Sequence, residues 1–154
     1  MTVKTIIDED FSNYKKPSMV IGCSRCTMKC GAELCQNNPW LKQSDITINN
    51  SEIICRYLNN NLTKAIVFGG LDPIDTWEDL KNLIYIIRAV GVKDDIVIYT
   101  GYTKCEIANK VEWLKKFSNI IIKFGRYIPN QKPHYDEVLG VDLASDNQYA
   151  ERIS

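Results

Sequence analysis

Four closely spaced cysteines are the residues of this sequence most able to do chemistry. They are Cys23, Cys26, Cys30 and Cys35, and their spacing is C-x2-C-x3-C-x4-C. Thiolates are soft ligands that suit zinc and iron–sulfur clusters. Structural zinc usually takes two C-x2-C pairs separated by a longer stretch, whereas a single loop that supplies every thiol is typical of ferredoxin-like clusters. The spacing favours an iron–sulfur cluster, with a zinc site or a redox-active thiol pair as alternatives.

The start of the sequence indicates a reducing compartment for these thiols. Residues 1–10 contain no basic stretch followed by an apolar run, so we expect no signal peptide and a cytoplasmic protein. The cytosol keeps thiols reduced, and we therefore expect no disulfide framework. Two further cysteines, Cys55 and Cys105, stand alone in helix-like segments and are interpreted as small buried residues.

The charge balance and the apolar runs exclude two classes of partner. Lys plus Arg and Asp plus Glu each total 19, so no basic excess points to nucleic acid. The longest apolar runs, such as residues 65–68 and 96–99, are far too short to span a bilayer. We therefore expect neither nucleic-acid binding nor membrane insertion.

Apolar patterning predicts strands that alternate with helices. Four apolar runs predict buried strands, at residues 18–22, 65–68, 96–99 and 120–124. Helical patterns begin between them at Ser51, Thr76 and Thr103. Thr76 with Asp79, and Thr103 with Glu106, have the spacing of capping boxes, which would fix the starts of two helices.

This alternation, with strands that are apolar throughout, is typical of an α/β domain whose mostly parallel sheet is covered by helices. Four units are too few for a closed eight-stranded barrel, and the chain from Gly125 onward is polar and irregular. The pattern leaves two architectures for a single domain over residues 1–154, namely a partial open (β/α) barrel or a small doubly wound sheet.

Special residues follow three of the predicted strands. The cysteines come after the first, Gly69 and Gly70 after the second, and Thr100 and Gly101 after the third. Both candidate architectures bind ligands at the carboxyl ends of their strands. The sequence therefore predicts a site at this edge of the sheet.

Several motifs together resemble one known family. Residues 68–73, Phe-Gly-Gly-Leu-Asp-Pro, resemble the GGE-P or GGDP segment of radical S-adenosylmethionine (SAM) enzymes. Residues 98–103 and 145–148 are similar to the YTGYT and SSNQ segments of anaerobic ribonucleotide reductase activating proteins, and residues 10–14 resemble that family's N-terminal strand and loop. The motifs stand in the family's order and, with the cysteines, cover most of the chain.

The resemblance implies a fold, cofactors and partners. The fold would be a single partial open (β/α) barrel of the radical SAM type. Three cysteines would hold a 4Fe-4S cluster, whose fourth iron is chelated by SAM. An electron from an external donor such as a flavodoxin would cleave SAM to methionine and a 5′-deoxyadenosyl radical. That radical would take a hydrogen atom from a glycine of the large subunit of anaerobic ribonucleotide reductase, and no residue beyond the cluster ligands is expected to be catalytic.

The cysteine spacing departs from the family's C-x3-C-x2-C pattern. Cys26 and Cys30 are separated by three residues, as the first two cysteines of the family are. Cys35 is followed by Gln and Asn37, which resembles the third cysteine of the family followed by x-Asn. This alignment makes Cys26, Cys30 and Cys35 the cluster ligands and leaves Cys23 spare. A second alignment matches Gly22-Cys23 to the family's Gly-Cys and makes Cys23 the first ligand.

The resemblance also implies which residues contact SAM: Asn37, Gly69, Gly70, Asp72, Thr100 and Gly101. The glycines would let the backbone approach the methionine moiety, although a strand-end turn alone would also require them. Lys123 at a strand end is either solvated or close to the SAM carboxylate.

Two functions compete with the activase: a zinc-stabilised interaction module, and a radical SAM enzyme that acts on another glycyl radical enzyme or a peptide.

Overall fold

The computed structural model describes all 154 residues and contains nine strands. They are β1 (Thr2–Asp10), β2 (Ser18–Cys23), β3 (Ile46–Thr47), β4 (Ala65–Gly70), β5 (Asp95–Tyr99), β6 (Ile120–Phe124), β7 (His134–Asp136), β8 (Val141–Leu143) and β9 (Tyr149–Arg152). Seven of them form one sheet in the order β3-β1-β2-β4-β5-β6-β9, and β7 and β8 form a separate hairpin.

The centre of the sheet is the predicted parallel unit. Strands β2, β4, β5 and β6 are parallel neighbours, and all four predicted apolar strands are confirmed. The edges differ from the prediction, because β1, β3 and β9 pair antiparallel. The domain is thus mixed α/β with a parallel centre. Its sheet ends at β3 and β9, so it is not a closed barrel.

Four helices accompany the sheet: α1 (Asn38–Leu41), α2 (Asn50–Leu58), α3 (Trp77–Ala89) and α4 (Ala108–Leu114). Helices α2, α3 and α4 precede β4, β5 and β6 along the chain, and their buried side chains join one core cluster with the same face of the strands. A doubly wound sheet would place such helices on both faces, whereas α2, α3 and α4 share one face. No helix has the length and apolar content needed to cross a bilayer.

The other face of the sheet is covered mainly by the C-terminal part of the chain, together with Trp40 of the short helix α1. Val20, Val67 and Val97 pack there against Leu139 and Leu143 from the C-terminal part of the chain. The central strands are therefore buried on both faces, which explains why their sequences are apolar throughout.

The segment after Gly125, predicted to be irregular, contains the three strands β7, β8 and β9. Their short polar sequences carry no apolar run, so periodicity does not reveal them. Backbone pairing with β6 holds β9. The Asp136 carboxylate adds a link, because it accepts hydrogen bonds from the backbone N–H groups of Leu139 and Ala150, both at 2.9 Å.

Neither predicted capping box begins its helix, because α4 starts only at Ala108 and its N-cap residue Ile107 makes no side-chain capping hydrogen bond. Thr103 and Glu106 still form the reciprocal hydrogen bonds of a capping box, in the turn before α4. The N–H of Thr103 donates to Glu106 Oε2 at 2.8 Å, and the N–H of Glu106 donates to Thr103 Oγ1 at 3.4 Å. Thr76 does not cap α3 through its side chain. The Asp79 carboxylate instead accepts the backbone N–H of Thr2 at 3.0 Å, because β1 competes for this acceptor.

A buried carboxylate ties both ends of the chain to the sheet. Asp95, at the start of β5, accepts hydrogen bonds from the Tyr14 hydroxyl, the Lys16 ammonium and the Arg152 guanidinium, and its side chain is 5% exposed. Burial opposes the charge of the Asp95 carboxyl, but the three hydrogen bonds outweigh burial and hold its pKa below the usual range.

We predict that Asp95→Asn lowers the free energy of unfolding at pH 7 by about 1–3 kcal/mol, because two cations lose their partner. Since the folded pKa is depressed, the Asp95 contribution is present above the unfolded value of about 3.9 and is lost as pH falls through the lower folded value. Urea unfolding should therefore show a smaller difference between variant and wild type at pH 3 than at pH 7.

The matched control is Asp45→Asn, which removes a carboxylate that is 52% exposed and paired with Lys4. Exposed pairs contribute about 0–1 kcal/mol, so this control should change stability little. If Asp95→Asn lowered the free energy of unfolding equally at pH 3 and pH 7, the conclusion that the folded protein lowers the pKa of Asp95 would be contradicted.

Candidate functional site

The carboxyl ends of the central strands surround a cavity of about 310 Å³ on the face opposite helices α2, α3 and α4. Every residue predicted from the sequence to bind the cluster or SAM lines this cavity: Cys26, Cys30, Cys35, Asn37, Gly69, Gly70, Asp72, Thr100 and Gly101. The structure thus brings together residues that are up to 75 positions apart. Their individual roles stay predictions.

The three cavity thiols come from the loop between β2 and α1. Cys26, Cys30 and Cys35 are half-buried and unpaired by disulfides. Burial raises the thiol pKa of Cys26. Burial and the neighbouring Cys35 thiol both raise the pKa of Cys30. A metal ion that binds Cys26 and Cys30 has to displace the proton of each thiol.

Cys23 lies apart from these three. It is the last residue of β2, is fully buried, and packs in the core cluster beneath the helices. Burial raises its thiol pKa to about 12. This placement favours the alignment in which Cys26 is the first ligand. Cys55 and Cys105, predicted to be buried, are both exposed, because each lies on the outer side of its segment.

Trp40 holds the cysteine loop against the sheet through two glycines. A Cβ atom on Gly22 would lie 2.5 Å from the indole ring, and a Cβ on Gly70 only 1.9 Å from it. Gly70 also has a φ of 79°, a backbone conformation that residues other than glycine rarely adopt. Both positions therefore require glycine for the ring to sit there. The expectation that Gly70 opens space for a ligand is corrected, since Trp40 fills that space.

Asn37 has a related anchoring contact. Its side-chain amide Nδ2 donates to the carbonyl oxygen of Gly70 at 2.7 Å. Asn37 stands two residues after Cys35, so the hydrogen bond fixes the end of the cysteine loop over the end of β4. The space beside Gly69, by contrast, is open, because a Cβ atom there would meet only Tyr99 at 3.7 Å.

Asp72 joins the ends of β4 and β5. Its carboxylate accepts hydrogen bonds from the Thr100 hydroxyl at 2.9 Å and from the Gly101 N–H at 2.8 Å. It also accepts the N–H of Ile74 at 3.0 Å. Burial raises the pKa of Asp72 despite these hydrogen bonds. Three residues predicted to contact SAM therefore form one network, and both carboxylate oxygens already have protein donors.

Several cavity residues were missed or left undecided by sequence reasoning. Lys123 is 7% exposed, and burial lowers its pKa to about 8. Its ammonium donates to the carbonyl of Gly125 at 2.8 Å. Gln148 donates to the same carbonyl at 3.2 Å. The only sequence signal for Gln148 was its place in the C-terminal motif, because polar residues in irregular segments are ordinarily solvated.

Comparison with known families gives one match. A family model described as "4Fe-4S single cluster domain" matches residues 18–148. No curated protein and no solved structure matches the chain significantly.

The thiols fit a cluster in kind and in number. No three or more His, Cys, Asp or Glu side chains are gathered closely enough to hold a single metal ion. Cys26, Cys30 and Cys35 are instead distributed around one cavity. Cysteine thiolates are the protein ligands of iron–sulfur clusters.

We predict that Gly70→Ala lowers the free energy of unfolding by about 2 kcal/mol or more, because the new Cβ meets Trp40 at a strained φ. Gly69→Ala is the matched control at the adjacent position. It should change stability by less than about 1 kcal/mol, since the space beside it is open. Urea unfolding of both variants measures the difference, and equal effects would show that Trp40 does not hold the loop in this way.

Proposed function

Because the chain belongs to the 4Fe-4S single cluster domain family, we propose that it is a radical SAM activase that works in the cytoplasm. It cleaves SAM at a 4Fe-4S cluster and generates a glycyl radical on the large subunit of an anaerobic ribonucleotide reductase. The observation that carries this proposal is that one cavity is lined by the three loop thiols and by the strand-end residues Gly69, Thr100 and Gly101. A partial open barrel of the radical SAM type is the fold that this function implies.

The ligand set leaves one iron without a protein ligand. In this proposal Cys26, Cys30 and Cys35 supply three thiolates, and the burial of Cys23 in the core beneath the helices supports leaving it out of the ligand set. An open coordination position distinguishes reactive metal sites from closed structural ones. When bound, the cluster supplies the electron that cleaves SAM to methionine and a 5′-deoxyadenosyl radical.

The cavity walls divide into apolar and polar parts. Val20, Val67 and Leu143 form an apolar surface that keeps water away from a bound ligand. Lys123 stands on the same wall as a nearly buried cation, whose remaining N–H groups can donate to the carboxylate of a methionine moiety. Gly69 leaves the backbone of β4 uncovered, so a ligand can approach it closely.

Asp72 acts on the site by fixing its walls. Because its carboxylate is occupied by Thr100 and Gly101, it holds the ends of β4 and β5 at a constant separation. A ligand that spans the two strand ends then meets a preorganised surface, which reduces the entropy lost on binding.

The partner must complete the site. A cavity of about 310 Å³ accommodates a small molecule and not a protein. The glycine of the reductase subunit therefore has to enter the mouth of the cavity on a segment of the partner. The electron comes from an external one-electron donor such as a flavodoxin, since the chain contains one cluster motif only.

We predict about four irons per chain after anaerobic reconstitution with iron and sulfide, and 5′-deoxyadenosine when reductant and SAM are added. Cys26→Ala, Cys30→Ala and Cys35→Ala should each abolish this product, because each removes an iron ligand. Cys23→Ala should keep most of it. Iron and sulfide content, electron spin resonance and chromatographic detection of 5′-deoxyadenosine are the measurements.

Cys55→Ala is the control, since it removes an exposed thiol on α2. Stoichiometric zinc that resists replacement, with no visible absorption, would establish the zinc-stabilised module instead. Production of 5′-deoxyadenosine without a glycyl radical on the reductase subunit would point to another glycyl radical enzyme or a peptide as substrate.

A further inference from the structure

Asp75 and Tyr102 contact the loop between the first two predicted cluster ligands. The backbone N–H of Thr27 donates to Asp75 Oδ2 at 2.7 Å. The Tyr102 hydroxyl donates to Asp75 Oδ1 at 2.7 Å and lies 3.1 Å from the Thr27 hydroxyl. Asp75 follows β4 and Tyr102 follows β5, so two strand ends hold one turn of the loop.

The Tyr102 ring makes a second kind of contact with the same loop. The Lys29 ammonium lies over this ring, 5.0 Å from its centroid. The Arg126 guanidinium lies 5.1 Å from the centroid and is fixed by two hydrogen bonds to Glu106. Cations over aromatic faces are attracted to them. The loop is therefore held on both sides of Met28, at Thr27 by hydrogen bonds and at Lys29 by the ring.

Met28 is the residue that needs such support. Its φ is 53°, which residues other than glycine rarely adopt. Such a conformation persists only where the surroundings fix it. It directs the chain from Cys26 towards Cys30, and the Met28 N–H donates to Cys26 Sγ at 3.3 Å. The contacts that hold Met28 therefore also hold the direction of the two thiols.

We infer that Asp75 and Tyr102 are a positioning pair that sets the segment from Cys26 to Cys30 in its ligating conformation before the cluster arrives. The inference rests on the ligand assignment within the proposed function. Neither side chain ligates iron. The pair acts through Thr27 and Lys29, as partners outside the ligand set do when they orient metal ligands.

The test uses the full chain without its cluster. Iodoacetamide alkylation of each cysteine, followed by peptide mass spectrometry, compares Tyr102→Phe and Asp75→Ala with wild type. Tyr85→Phe is the matched control, because Tyr85 is 63% exposed on α3. We expect Cys26 and Cys30 to react about 2- to 10-fold faster in both loop variants, since each loses hydrogen bonds that close the loop. Cys55 should react at an unchanged rate.

Three outcomes of the alkylation experiment would overturn the inference. Cys23 is fully buried, so faster alkylation of Cys23 together with Cys26 would reveal general unfolding and a merely structural role. The variant that combines Asp75→Ala with Tyr102→Phe gives a further test. If its effect on the alkylation rates equals the sum of the two single effects, the two residues do not act as one unit. Wild-type reactivity of Cys26 and Cys30 in both single variants would equally refute it.

A second measurement follows the loaded protein. After reconstitution, the rate at which a chelator removes iron should rise about 10- to 100-fold in Tyr102→Phe and Asp75→Ala, with a changed spin-resonance signal of the reduced cluster. Rates like those of Tyr85→Phe would overturn the inference. Neither measurement needs SAM cleavage, so failure of the proposed function would leave both results readable.

Discussion

The seating of Trp40 on the ends of β2 and β4 is the contact on which the site depends. The indole occupies the volume that side chains at Gly22 and Gly70 would fill. It fixes the C-terminal end of a loop that otherwise has little apolar content. The hydrogen bond from Asn37 to the Gly70 carbonyl lies beside it. Without this anchor, the end of the loop that carries Cys35 would have no fixed relation to the ends of β2 and β4.

The alternation of side chains along β2 separates the cysteines into two groups. Met19, Ile21 and Cys23 point to the helices, whereas Val20 packs on the opposite face, where the cavity opens. A strand has a side-chain period of two, so its last residue falls on the core side. The strand ends after Cys23, and the later thiols are free of this constraint. One continuous motif thus contains a core residue and three residues of the cavity.

Carboxylates connect the strand ends to each other and to the loop. Asp72 and Asp75 both follow β4, and they accept hydrogen bonds from Thr100, Gly101 and Tyr102, which follow β5. The segments 68–73 and 98–103 were both predicted to bind a ligand. The residues around their ends therefore also contact one another. A rigid rim of this kind lets a small domain position a cofactor without a large core around it.

The sequence alone determined the parallel centre of the sheet, the three longer helices α2, α3 and α4, and the edge at which the site lies, because apolar periodicity and strand-end residues are local signals. It also predicted an iron–sulfur protein, in agreement with the matching family model. Tertiary structure decided which face each thiol takes, that Trp40 and not a ligand fills the space at Gly70, and that Asp72 binds protein donors. It also decided the antiparallel edges, since β9 is stabilised by pairing with β6 and not by its own apolar content. These features arise from contacts between residues far apart in the chain, which no local pattern encodes.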